Sequence, residues 1–237
     1  MMTSPSTSGL VFRPAHERFH SQLDWLDSWH TFSFANHFDP AWIGFGPLRV
    51  INDDRIAAGK GFGMHPHRDM EIVTVMVDGQ LNHRDSMGHT EVLRAGEVQR
   101  MSAGTGVVHS EINEADQPCR LLQIWIEPSR AGIAPAYEQK PFPIGSGWTP
   151  LLDPTQAGGA MAIQRPIRLW RAQPTRGTSL SLAIASGSQG WIQMIAGEGN
   201  ADGHALHRGD GLGFSAGTLH TFTAGPAGAD LLLFELR

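Results

Sequence analysis

The chain carries a single cysteine, Cys119, among 237 residues, so an internal disulfide framework is excluded and a reducing compartment is the natural setting. No apolar run approaches the roughly 20 residues that cross a bilayer, which argues against a membrane partner. The opening stretch MMTSPSTSGL has neither the basic start nor the apolar core of a secretory signal, so a cytoplasmic protein is expected. Lys and Arg form no dense cluster and the formal net charge is -5, which leaves no basic face for direct nucleic-acid binding. Helical periodicity is also scarce. Only Glu17–Ser28 has the spacing of a short helix, one that would carry Leu23 and Leu26 inward.

What is present is strand-like. Hydrophobic residues make up 41% of the chain, enough for a real core. They gather in short segments rich in Val, Ile, Leu and aromatics: 48–52, 71–77, 98–102 and 121–126, then 180–185, 191–196 and 231–236. Gly-rich turns punctuate them, such as Asp78-Gly79, Ala95-Gly96 and Gly209–Gly211, a pattern typical of all-β sandwiches and barrels. Residues 133–150, IAPAYEQKPFPIGSGWTP, are crowded with proline and glycine and read as a linker unable to sustain a ladder. The reading is therefore an N-terminal domain over 1–132, a linker over 133–150 and a C-terminal domain over 151–237. A weak internal repeat supports two domains: Gly96-Glu97 leads through Ser102-Ala103-Gly104 to His109, and Gly209-Asp210 leads through Ser215-Ala216-Gly217 to His220.

The chemistry concentrates in the first half, where nine of the 12 histidines precede residue 120. In His65-Pro66-His67, residues i and i+2 of a strand face one way, so both imidazoles share a face. Proline between them fits a strand start or edge. In His109-Ser110-Glu111 the same rule places an imidazole beside a carboxylate. Two such pairs meeting across a barrel supply three nitrogens and one oxygen, a set suited to one divalent transition metal, with Fe, Zn, Mn, Ni, Co and Cu all compatible. Glu71 shares the parity of His65 and His67 and stands as a second carboxylate candidate. His83-Arg84-Asp85 reads as a polar cluster beside a turn, with a charged relay near the site as the other reading. Phe32 and Phe34 read as core, Met64, Met76 and Met101 as core fillers before pocket lining, Trp25, Trp29 and Trp42 as packing, and His204 and His207 as solvated loop residues.

These motifs carry a resemblance. Gly59-x5-His65-x-His67-x3-Glu71 followed by Gly79 resembles the first cupin motif, and Gly96 through His109-x3-Asn113 resembles the second. HTFSF (30–34), GFGPLRVINDDR (44–55), GMHPHRDMEIVT (63–74), HRDSMG (83–88) and QRMSAGTGVVHSE (99–111) together are similar to the pirin family. The likeness covers about residues 16–130; beyond the linker only the overall two-cupin plan matches. It implies a bicupin, two jelly-roll β-barrels in one chain with little helix. It further implies one metal, iron foremost, on His65, His67, His109 and Glu111. Ordinary cupins take the carboxylate from the first motif, here Glu71, but the spacing from Glu71 to Gly79 is one residue longer than usual. The match through HSE favours Glu111.

Members of that family include quercetinases, so the resemblance implies a quercetin 2,3-dioxygenase-like oxidoreductase that opens a flavonol-like aromatic with O2, with Glu111 as general base. A different class of reading is a metal or redox sensor that regulates a protein partner. A third is a closed structural metal site. Flavonol turnover with oxygen uptake separates the first from the others. The second barrel is expected to lack a metal, because Thr178–Gly190 holds no His, Cys, Asp or Glu and Phe222 stands two residues beyond His220.

Overall fold

The computed structural model describes residues 9–237. The described chain is built from strands with three short 3-10 turns and no α-helix. Among the described residues no helix is long and apolar enough to cross a membrane. The strands are β1 (Leu10–Arg13), β2 (Phe19–Gln22), β3 (Leu26–His30), β4 (Leu48–Ile56), β5 (Gly61–His67), β6 (Glu71–Asp78), β7 (Gln80–Asp85), β8 (Thr90–Arg94), β9 (Glu97–Ser102), β10 (Val107–Ile112), β11 (Cys119–Ile126) and β12 (Ala136–Pro141). Then follow β13 (Thr149–Leu152), β14 (Arg168–Ala172), β15 (Ser179–Ser181), β16 (Gln189–Ala201), β17 (His204–His207), β18 (Gly211–Ser215) and β19 (Thr221–Leu236).

These strands form two compact units. One holds residues 19–142 and 163–165; the other holds the described residues 9–18 together with 143–162 and 166–237. The sequence-based boundaries differ from this at both ends. β1 pairs with β18 along its whole length, so this strand belongs to the unit that the C-terminal half completes. The expected linker contains β12, which pairs with β9 from Ala136 to Pro141. Its prolines are tolerated because β12 is an edge strand that forms a ladder on one side only.

In the first unit a seven-stranded sheet, ordered β12-β9-β6-β11-β4-β3-β2, faces a four-stranded sheet, ordered β5-β10-β7-β8. Period-two alternation turns one face of each strand inward. Leu26, Ile56, Met76, Leu81, Leu93, Cys119 and Leu121 pack together in one cluster; Ile72, Met101 and Val107 pack in another. Met76 and Met101 are thus core, whereas Met64 is exposed.

The stretch expected as a helix is the hairpin β2–β3. Ser28 and His30 alternate inward with Leu26, a period of two that outweighs the helical spacing of Leu23 and Leu26. Leu23, expected inside, is 55% exposed at the turn.

The second unit is one eight-stranded sheet. The proposed repeat folds alike in both units, as a strand, a turn with left-handed glycine and a further strand; Gly104 has φ 48° and Gly217 φ 79°. Leu212, Phe214, Phe222, Leu231 and Leu233 fill its interior. Gly190 and Gly211 are backbone that aromatic rings lie against: a Cβ would stand 2.2 Å from Phe214 and 2.3 Å from Trp191, respectively. Segment 180–185 forms strand only at its start, in β15.

Candidate metal centre

The site is assembled by register. Across β5 and β10, His65 lies directly opposite His109; across β10 and β7, Glu111 lies opposite His83 and His109 opposite Asp85. The β5–β10 ladder slips by one residue between His109 and Glu111, where Glu111 faces Phe62. The extra residue on β5 is a bulge at Gly63-Met64, which turns Met64 outward and keeps His65 and His67 inward.

Three imidazoles converge as a result. Ring centroids of His65, His67 and His109 are 4.5–4.8 Å apart, and one ligand atom from each lies within 4.8 Å of the others. The Nδ1–H of His65 donates to the Gly63 carbonyl at 2.7 Å, which fixes the tautomer and leaves Nε2 as a lone-pair donor. Both ring nitrogens of His109 are buried without a hydrogen-bond partner. A buried imidazole left so is costly unless something binds it, and its lone pair suits a cation. Burial lowers His67 to about 4, with repulsion from His109 and His65 adding to it. Burial and His65 lower His109 to about 3. Both therefore stay neutral at physiological pH, the form that ligates.

Glu111 is 3% exposed, and its carboxylate accepts from Gln123 Nε2 at 2.9 Å. It lines the same cavity as His65 and His67. It also groups with His109 and His83 within 4.8 Å. Glu71 is buried elsewhere: its carboxylate accepts from Ser102 Oγ at 2.7 Å, and burial raises its pKa. Glu71 is not among the residues that line the cavity.

His83, read from sequence as part of a turn-flanking cluster, is fully buried with its ring 5.3 Å from His109. Its Nε2 meets Asp85 Oδ2 at 3.0 Å, and His89 Nδ1 meets the same oxygen at 2.9 Å. Burial alone would raise the Asp85 carboxyl, but these bonds hold it below its ordinary range. His83 and Asp85 thus stand as a buried pair beside His109, while Arg84 is exposed and pairs with Glu114 at 2.9 Å.

The cavity measures about 380 Å³. Its apolar lining includes Phe34, Phe62, Leu26 and Trp125, with Trp125 edge-on to His67 at 5.0 Å. Phe34, expected as core, therefore lines the site, while Phe32 is core. Trp29 stacks on His20 at 4.1 Å, a packing role as expected.

A row of polar side chains crosses the seven-stranded sheet in register: Gln99 opposite Thr74, Thr74 opposite Gln123, Gln123 opposite Asn52 and Asn52 opposite His30. In the next row Ser28 stands opposite Asp54. The sequence assigned these residues no role, although His30, Asn52, Asp54, Thr74 and Gln99 lie in the motifs that carry the resemblance. The available signal was a polar residue at an inward strand position, as in Leu121-x-Gln123-x-Trp125. Among the described residues the two groups that could hold a metal both lie in the first unit. His204, His207 and His220 are exposed.

Comparison with known proteins agrees with this geometry. Residues 11–126 match the Pirin family and residues 151–236 match the quercetinase C-terminal cupin domain. The chain is 42% identical over 231 residues to the quercetin 2,3-dioxygenase of Escherichia coli K12, covering 96% of this chain and 98% of that protein. Bacterial pirin YhhW from Escherichia coli, solved in complex with nickel(II), superposes with TM-score 0.92 at 42% identity, covering 96% of this chain and 99% of that one. A quercetin 2,3-dioxygenase from Acinetobacter baumannii shares the fold, with TM-score 0.80 at 20% identity over 96% of this chain and 85% of that one. The two cupin units, the His/Glu constellation and these matches agree: the chain belongs to the pirin family.

Proposed function

We propose that the chain is a metal-dependent dioxygenase that opens a flavonol-like aromatic with O2. The carrying observation is the cluster of three imidazoles and a buried carboxylate at a cavity of about 380 Å³ that Phe34, Phe62 and Trp125 also line. That volume lies in the range of small-molecule sites, about 300–1,000 Å³. The 42% identity to a quercetin 2,3-dioxygenase supports the same reading.

In this proposal His65, His67, His109 and Glu111 hold one divalent metal per chain. Imidazole–carboxylate sets with open positions suit iron, our first assignment; zinc, manganese, nickel, cobalt and copper fit the same donors. That the Escherichia coli pirin was solved in complex with nickel(II) supports a divalent transition metal in this chain. When bound, the metal supplies Lewis acidity that lowers the pKa of a ligated hydroxyl and brings the two substrates together. The protein supplies the rest. Glu111 accepts the proton of the substrate hydroxyl on its carboxylate, and Gln123 Nε2–H keeps that carboxylate oriented. Phe34, Phe62 and Trp125 take the aromatic rings and exclude water.

The experiment is oxygen consumption with quercetin, alongside elemental analysis of the same sample. Oxygen uptake that follows metal content and disappears in His109→Ala supports the proposal. A stoichiometrically metallated protein that consumes no oxygen with any flavonol refutes it.

A further inference from the structure

Besides the imidazoles, the lining of the cavity carries a second polar group that the proposed chemistry does not use. Ser28 pairs with Asp54 and His30 with Asn52, two neighbouring cross-strand pairs on β3 and β4, and all four line the cavity. Asp54 is 3% exposed, yet Ser28 is the one side-chain hydrogen-bond donor on its carboxylate among the described residues. A buried carboxylate with a free oxygen is costly, so this one is built to receive a further donor.

The direction of the hydrogen bonds says what the donor must be. The Asn52 carbonyl oxygen accepts from His30 Nδ1–H at 2.8 Å, and Ser28 Oγ shares that proton at 3.3 Å. The Ser28 hydroxyl is therefore committed to Asp54. On the other side His30 Nε2 accepts from Ser21 Oγ at 2.9 Å, and Ser21 Oγ accepts from His37 Nε2 at 3.0 Å. The Ser28 hydroxyl is thus the donor of this chain that reaches Asp54, and the ionised Asp54 carboxylate offers the cavity an acceptor. Burial holds Asp54 near 7, against an ordinary 3.8, so a donor from a ligand would favour its ionised form.

We propose that Ser28, His30, Asn52 and Asp54 form a second subsite that binds a catechol, the vicinal hydroxyls of a polyphenol held in the same cavity. Asp54 is the hydroxyl acceptor, and Asn52, on the neighbouring pair, is the adjoining polar contact. Charge-assisted O–H···carboxylate bonds are the stronger kind, so the subsite confers selectivity as well as affinity. The inference rests on the flavonol reading of the site and names the substrate feature that the site selects.

Trp125 lines the cavity, so its emission reports ligand binding without turnover. Quercetin is titrated under argon above neutral pH beside galangin, the same flavonol with an unsubstituted pendant ring. The wild-type protein is expected to prefer quercetin by about tenfold or more. Asp54→Asn should collapse that preference at unchanged metal content, and methylation of the catechol hydroxyls should collapse it in the wild-type protein, a test independent of any variant. Equal affinities for the two flavonols in the wild type, or a preference that survives Asp54→Asn, overturn the inference. A preference for quercetin without oxygen uptake removes the dioxygenase reading and leaves the subsite standing. Failure of both flavonols to bind removes both.

Discussion

Glu111 and Glu71 show how two carboxylates of similar burial come to different tasks. Glu111 sits on the cavity with Gln123 holding it, while Glu71 is tied to Ser102 away from the lining residues. Glu111→Gln is expected to lower metal affinity by about tenfold or more and to stop oxygen uptake, since a neutral amide is a weaker ligand and no base. Glu71→Gln should retain a full equivalent of metal by elemental analysis. The reverse pattern would place the carboxylate ligand in the first motif.

Asp54 yields a pH prediction. Burial, with the charges of Asp53, Glu111 and Asp27 adding and the Ser28 hydrogen bond opposing, raises it from 3.8 to about 7. Between those values the folded chain holds a proton that the unfolded chain has released. The stability due to this group is therefore present below the unfolded pKa and is lost as pH rises through the folded one, by up to about 1.4 kcal/mol per unit. His67 and His109 act oppositely: kept neutral by the fold, they cost stability as pH falls below 6.5 toward about 4 and about 3. Both histidines are common to parent and Asp54→Asn, so they cancel in the difference. The Tm of metal-free Asp54→Asn relative to the parent should climb between about pH 4 and about pH 7 and then level off. A pH-independent offset would contradict the shifted Asp54.

Among the strands, the β5–β10 ladder decides whether the imidazoles meet. Gly61 has φ +158°, and a Cβ there would stand 2.2 Å from the Glu111 carbonyl oxygen. Gly61→Ala must push β5 away from β10 and disturb the placement of His65 against His109. The expected result is a loss of about 1–3 kcal/mol in stability together with weaker metal binding, read by denaturant melts and metal titration. Unchanged affinity would show that the loops, and not this ladder, set the site. Element boundaries also explain the misread segments. The hairpin β2–β3 was open to a helical reading because Leu23 and Leu26 have the i, i+3 spacing of a helix, and only pairing with β4 selects the strand. β12 forms in this proline-rich stretch, with Pro141 at its end, because an edge needs hydrogen bonds on one side alone.

Considered whole, the molecule joins a barrel with a polar interior row to a sheet whose interior is filled by Leu and Phe side chains. One metal equivalent per chain is expected, all of it lost in the His65→Ala/His67→Ala double variant. A second equivalent that survives that change and disappears with His220→Ala would assign a metal to the second unit.

Local periodicity made much of this legible in the chain alone. The period of two in the strands, the glycine turns, and the same-face pairs His65/His67 and His109/Glu111 depend on nothing further away than two residues. Cys119, the charge balance and the cupin-like spacing belong to the same kind of information. Only the tertiary structure decided what depends on register between distant strands. It brought His83 against His109, set Glu111 on the cavity and Glu71 off it, returned β1 to the C-terminal unit, and aligned Ser28, His30, Asn52 and Asp54 as one wall. Each of those residues is an ordinary polar residue on a strand until its cross-strand neighbour is known. That neighbour is chosen by the packing of the whole sheet, which no short window of sequence contains.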